Sequence, residues 1–338
     1  FTASGVAASE IIAAYSDEGF KAVTGVEKIE NTPDPQGNIL HQVITKYSGR
    51  DSKDTVAGAI TPTGKLSQDV IDNSSFDSQG NPAVRAVTST YFDSTGADIS
   101  TTYISYSNSY DLYNRPLTSN VSYYSDSDRK SLTSLQKITY SEGDYDEFGN
   151  SRHQTIKTYS DKDAKVFVQA TVVDRIFANR LLEARGIATT TTSIKYSDEG
   201  LAARTGKVVN LIDPKDVDSS GNVLKQDQKI YVFAGGKDVN TLHQVITAET
   251  GDFLSTGDAK KESVATYYVD ASGKETMTSY SRYSNRVFDS SHNAIAQTVL
   301  TYTDDSLASL VSAQEVRSSG FTASGVAASE IIAAYSDE

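Results

Sequence analysis

Two short stretches of this chain gather carboxylates at ligand-like spacing. Asp213-Pro-Lys-Asp216-Val-Asp218-Ser-Ser-Gly221-Asn222 sets three Asp, a turn Gly and an Asn within ten residues, and Glu142-Gly-Asp144-Tyr-Asp146-Glu147-Phe-Gly149-Asn150 is built alike. Calcium takes six to eight oxygens, often from Asp at alternate positions with a Gly turning the loop. Asp144, Asp146, Asp216, Asp218 and Asn222 are therefore the residues a calcium ion would use. Neither stretch has the closing bidentate Glu of a full calcium loop, and a solvated acidic turn is the simpler account of both.

Other chemistry is sparse. The sequence holds no Gly-x-Ser-x-Gly elbow, no phosphate-binding Gly-Lys-Ser/Thr loop and no His-Glu-x-x-His helix, so we expect no enzyme and no cofactor other than calcium. The four histidines, His41, His153, His243 and His292, are scattered singly and read as strand-face residues. Asn73-Ser-Ser and Asn120-Val-Ser are acceptor sequons for N-linked sugar. Thr189 to Thr192 and Ile99 to Asn108 offer hydroxyls for O-linked sugar or simply face solvent from strands.

The elements that position these residues are set by composition and repetition. Hydrophobic residues are 38% of the chain, Tyr numbers 20, Met 1, and Trp and Cys are absent. Small polar and aromatic residues of this kind suit thin β-layers better than a thick core. The net charge of −13 argues against a nucleic-acid partner and against docking on anionic lipid. No apolar run approaches a membrane span and no signal peptide is visible. Absence of Cys fits large exported repeat proteins.

Phe1 to Glu18 reads FTASGVAASEIIAAYSDE, and Phe321 to Glu338 repeats it letter for letter at an offset of 320 residues. We expect residues 1–320 to be one super-repeat and 321–338 the start of the next, the 338 residues being a window onto a longer polymer. A cloning concatemer is the alternative. Inside the large unit, strands end on marker tyrosines: Tyr15, Tyr47, Tyr91, Tyr124, Tyr159, Tyr196, Tyr231, Tyr268, Tyr302 and Tyr335. Their spacings run from 32 to 44 and total 320, giving nine units of about 36 residues. Such a period signals a solenoid or array.

Most markers are preceded by an Asp-x-x-Gly-Asn turn, at Asp34–Asn38, Asp77–Asn81, Asp146–Asn150 and Asp218–Asn222, with looser forms at Asp111–Arg115 and Asp289–Asn293. Gly and Asn accept positive φ, and Asp bonds its own backbone two residues on. Second turns follow, as at Asp93–Gly96 and Asp270–Gly273. Each unit thus reads as one β-hairpin, and the chain as an all-β tandem β-hairpin array, solenoid-like or a spiralling sheet. Val166, Val168, Ala170 and Val172 should share one strand face. Gly5 to Tyr15, Arg180 to Arg185 and Ser306 to Val316 favour helix locally, but the repeat phase places them on strands.

Tyr110-Asp111-Leu112-Tyr113-Asn114-Arg115 and Tyr145-Asp146-Glu147-Phe148-Gly149-Asn150 resemble the YD repeats of bacterial Rhs proteins and teneurins, and Phe76–Asn81 and Phe288-Asp289 are similar with Phe for Tyr. The resemblance implies hairpins wound into a spiralling sheet that can form a hollow shell on secreted or cell-surface proteins. The units here are longer than that family's.

These readings lead us to expect a structural segment of an extracellular or cell-surface filament, stalk or sheath. Its partners would be copies of itself, head to tail and in lateral association. An adhesin or glycan-binding stalk and a toxin-enclosing Rhs-like shell are the alternatives.

Overall fold

The computed structural model describes residues 6–15, 23–54, 60–93, 95–254, 257–288, 292–319 and 329–335. Asp289 and, of the two identical ends, residues 1–5, 16–18, 321–328 and 336–338 lie outside them. Among the described residues, nineteen strands belong to one antiparallel sheet. The chain divides into two compact units at residues 135 and 136.

In the first unit each strand pairs with the next in sequence. The strands are β1 (Ser9–Tyr15), β2 (Val23–Pro33), β3 (Ile39–Arg50), β4 (Pro62–Phe76), β5 (Pro82–Phe92), β6 (Asp98–Tyr110) and β7 (Pro116–Tyr124). The division falls inside β8 (Leu132–Thr139). The second unit runs in the same meander through β9 (His153–Tyr159), β10 (Phe167–Ile176), β11 (Thr190–Tyr196), β12 (Arg204–Leu211), β13 (Lys225–Ala234), β14 (Lys237–Ala248), β15 (Glu262–Val269), β16 (Glu275–Phe288), β17 (Ala294–Tyr302), β18 (Leu310–Ser319) and β19 (Ser329–Tyr335). The hairpin array read from the sequence is thus the fold, with eighteen strands before residue 320 and the nineteenth repeating the first. A lone hairpin is marginal in water; stacked on its neighbours it is stabilised by the sum of its two interfaces.

The marker tyrosines have a structural cause. Lys46 pairs with Ser67 but Tyr47 pairs with Lys65, so Leu66 is an extra residue, a β-bulge on the returning strand. The same step recurs opposite Tyr15, Tyr196, Tyr231 and Tyr302, where Thr24, Thr205, Thr241 and Val311 are the extra residues. A bulge sharpens the right-handed twist of its strand. Three bulge threonines are tied across the ladder: the hydroxyls of Thr205, Thr241 and Thr278 donate to the carbonyls of Lys195, Ile230 and Thr266 at 3.2, 3.4 and 3.2 Å. Two markers shift by one residue. The bulge faces Phe92 rather than Tyr91, and Tyr267 rather than Tyr268, which is 54% exposed.

Two further expectations are corrected. A bulge at Val168 breaks the alternation of β10, so Val166 and Val168 are exposed while Ala170 is fully buried. Arg180–Ala184 is a short helix, α1, standing where other units carry a turn. Asn179 caps it by accepting from Leu182 N at 3.0 Å. Gly186, at φ 71°, ends it: its N–H donates to Glu183 O and that of Ile187 to Leu182 O, both at 2.9 Å, a Schellman closure. Ser9–Tyr15 and Leu310–Ser319 are strands, as the phase requires.

Burial is thin. Among the described residues five buried apolar side chains fall in the first unit, including Val26, Val121 and Tyr123, and sixteen in the second, including Ile156, Val173, Ile295 and Val299. Strand pairing rather than a thick core therefore holds most of the sheet.

Candidate functional site

The Asp-x-x-Gly-Asn turn closes on its own carboxylate. Asp34 N donates to Asn38 O at 2.8 Å and Gly37 N to Asp34 O at 3.1 Å. Asp34 Oδ1 accepts from Gln36 N and Asn38 N, both at 2.9 Å, and Oδ2 accepts from Asn38 Nδ2 at 2.8 Å. Asp77, Asp146 and Asp218 repeat the arrangement with Asn81, Asn150 and Asn222. At Asp111 the Arg115 side chain takes the Asn place, its Nε donating to Oδ2 at 2.7 Å. The fourth position needs positive φ, supplied by Gly37 at 93°, Gly80 at 85° and Gly221 at 93°, or by Asn114 at 63° and His292 at 65°. Asn side-chain and backbone donors hold the carboxyls of Asp34, Asp77 and Asp218 below the ordinary value of 3.8. At Asp146 burial pushes the other way and the hydrogen bonds outweigh it.

Successive turns are matched to one another. The fifth residue of one faces the fourth of the next. A Cβ on Gly80 would sit 3.0 Å from Asn38 Oδ1, and one on Gly186 3.3 Å from Asn150 Oδ1. Where the fourth residue has a side chain it bonds instead: Asn81 Nδ2 donates to Asn114 Oδ1 at 2.8 Å, and His292 Nδ1 lies 3.0 Å from Asp258 Oδ1. The helix joins the row, since Asn150 Nδ2 donates to Glu183 O at 2.7 Å and Arg185 Nη2 to Ser219 O at 2.9 Å. The looser motifs at Asn114 and His292 are thus substitutions matched to the preceding turn.

Of the calcium candidates, Asp146, Asp218 and Asn222 are turn residues whose polar atoms bond within the turn. Asp144 and Asp216 end single 3-10 turns, Glu142–Asp144 and Pro214–Asp216. No group of three His, Asp or Glu side chains placed to hold a metal occurs among the described residues. Each histidine meets a carboxylate from another strand or turn: His41 with Asp72 and His153 with Asp174 at 2.7 Å, His292 with Asp258, and His243 at 3.0 Å from both Asp227 and Glu275. Buried Tyr159 donates its hydroxyl to Glu199 at 2.7 Å; burial first and that acceptor second push its pKa up to about 12.

A polar cleft of about 420 Å³ lies in the first unit, where the turns at Asp34 and Asp77 overhang β3, β4 and β5. Its walls carry Gln36, Gln42, Asn73, Phe76, Gln79 and Arg85. Asn73, the first sequon residue, donates to Ile39 O and accepts from Arg85 Nε, each at 3.0 Å. Gln42 Nε2 donates to Asn31 Oδ1 at 2.8 Å. Nothing in the sequence marked this cleft, because its residues meet only through strand register.

No model of a protein family matches the chain, and no curated protein matches it. Among solved structures it is similar to TcdB2-TccC3 without its hypervariable C-terminal region, at 8% identity and a TM-score of 0.21, over 93% of this chain and 22% of that one. It is also similar to TcdB2-TccC3-Cdc42, at 12% identity and a TM-score of 0.17, over 96% and 21%. The chain spans about a fifth of the length of those structures.

Proposed function

We propose that this chain is the repeating segment of a long structural protein, a filament, stalk or sheath at the cell surface or outside the cell, in which 320-residue units follow head to tail. The observation that carries the reading is one heptapeptide, Ser-Glu-Ile-Ile-Ala-Ala-Tyr, occupying two strands that use opposite edges.

As β1 it pairs with β2. Asn31 N donates to Ala8 O at 2.8 Å, so in the alternating antiparallel ladder Glu10, Ile12 and Ala14 turn their backbone groups toward β2. Ser9, Ile11 and Ala13 turn theirs the other way. As β19 the heptapeptide pairs with β18. Thr301 and Ser312 hold the register place of Ala14 and Gly25. The same alternation then leaves Ala313, Glu315, Arg317 and Ser319 to bond Tyr335, Ala333, Ile331 and Ser329. Those are the residues equivalent to Tyr15, Ala13, Ile11 and Ser9. Laid one on the other, the two copies make a single inner strand between a β18 and a β2, and the meander continues without interruption.

Exposure supports the same reading. Ile11 and Tyr15 are half-buried, with the Arg50 guanidinium carbon 5.3 Å from the Tyr15 ring centre, whereas Ile331 and Tyr335 are 71% and 52% exposed. The later copy lacks the cover that the strands after β1 supply.

Hydrogen exchange on the 338-residue chain tests this. Amides of Glu10, Ile12 and Ala14 should be protected in β1, and those of Ile331 and Ala333 in β19, with the alternate sets fast. In a chain extended by a further large unit, the inner copy should be protected at both sets. The same alternate set protected in both copies, or an inner copy still half-protected, would sink the proposal.

A further inference from the structure

The geometry points to the cleft beneath the Asp34 and Asp77 turns as a binding site for a saccharide that carries a carboxylate. Its volume of about 420 Å³ lies within the usual range for small-ligand sites. The chain has 44 acidic residues against 31 basic ones, yet among the described residues no Asp or Glu lines the cleft and Arg85 is its one charged lining residue. Half-buried Arg115, Arg204 and Arg286 form close ion pairs with Asp111, Asp238 and Glu262, whereas Arg129 and Arg175 donate to backbone carbonyls. Arg85 instead is steadied by a neutral amide, its Nε donating to Asn73 Oδ1. The planar guanidinium that remains is suited to a paired contact with a carboxylate.

The remaining walls suit a sugar. Gln36, Gln42, Asn73 and Gln79 are amides; Gln42, Asn73 and Gln79 already donate one N–H each, to Asn31 Oδ1, Ile39 O and Leu112 O, and keep their second N–H for a hydroxyl. Phe76 offers an apolar surface for the C–H face of a ring. The carboxylates of Asp34 and Asp77 flank the cleft, but their oxygens accept the N–H groups and Asn amides of their own turns. One guanidinium in so acidic a protein is a poor site for a polyphosphate, and a single carboxylate among hydroxyls is the ligand these groups match. The inference stands apart from the tandem reading: strand exchange at β1 and β19 is silent on it.

Calorimetry on the full chain tests it with three probes: a uronic acid trisaccharide, the neutral trisaccharide of the same linkage, and inorganic phosphate. The uronate should bind saturably and the neutral sugar at least tenfold more weakly, with phosphate failing to displace the uronate. Arg85→Gln should weaken uronate binding at least tenfold. Gln36→Ala, on an exposed turn, should weaken it severalfold with the melting midpoint unchanged, which separates lost binding from lost folding. Absent binding, equal binding of the neutral sugar, displacement by phosphate, or unchanged binding in Arg85→Gln at an unchanged melting midpoint would each overturn the assignment.

Discussion

One substitution made twice reads out whether the array continues. Ile11 and Ile331 are the same residue of the heptapeptide, half-buried in β1 and 71% exposed in β19. Their neighbours Ile12 and Ile332 differ far less, at 46% and 52%, so cover is gained on one face only. Replacing Ile by Thr keeps the β-branched shape that strands favour and removes two carbons' worth of apolar surface, about 1.6 kcal/mol when wholly buried. Less than a third of Ile331 is covered, so Ile331→Thr should cost about 0.5 kcal/mol in the 338-residue chain, and Ile11→Thr about 1 kcal/mol or more. In a chain extended by another large unit, position 331 acquires the surroundings of position 11, and the two costs should converge. Local stability from hydrogen exchange at β2 and β18 is the assay, because a repeat array can open piecewise and a melting curve averages over all its strands. If Ile331→Thr remains the cheaper change in the extended chain, the two strands are not equivalent and the continuation is wrong.

Two further outcomes follow from the geometry. Gly25 and Gly206 hold the same place beside a bulge, but an added Cβ would lie 3.8 Å from Tyr47 O in one case and 2.8 Å from Tyr231 O in the other. Gly206→Ala should therefore destabilise the β12–β13 pairing by about 1–3 kcal/mol while Gly25→Ala stabilises its strand by roughly 0.5 kcal/mol. Equal effects of the two in exchange or thermal unfolding would refute the register. The turn carboxylates Asp34, Asp77, Asp93, Asp126, Asp161, Asp198, Asp218 and Asp270 are all lowered below 3.8 in the folded chain. A group depressed on folding contributes its stability in full above the unfolded value and loses it as pH falls through the folded one. Unfolding midpoints should thus drop once pH goes below about 4; a curve flat down to pH 3 would show that the turns contribute little.

What could be read from the sequence depended on whether its cause was local. The Asp-x-x-Gly-Asn turns were legible because carboxylate, positive φ and amide lie within five residues. The strand count followed from their spacing. The bulges were not legible, since Leu66 and Val168 become extra residues only against the partner strand; this is why the alternation expected for β10 failed. The helix at Arg180 carries its own signals in the cap Asn179 and in Gly186, and there these local signals outweigh the repeat phase. The cleft and the four histidine–carboxylate pairs depend on residues from different strands or turns, and periodicity alone does not bring them together.

The turn row explains how a repeat can drift in sequence and still propagate. Gly at the fourth position leaves room for the preceding amide, as Gly80 does for Asn38, so this pair is self-consistent in any unit. Where a side chain enters the fourth position, the fifth residue of the turn before it must answer. Asn81 bonds Asn114, and where His292 replaces Gly, Asp258 replaces Asn in the turn before it. The compatibility therefore runs between neighbours rather than within a unit, and no unit needs to match any other than the ones beside it. A rule of that form sets no limit on the number of units. On the tandem reading proposed above, the heptapeptide meets a β18 on one edge and a β2 on the other.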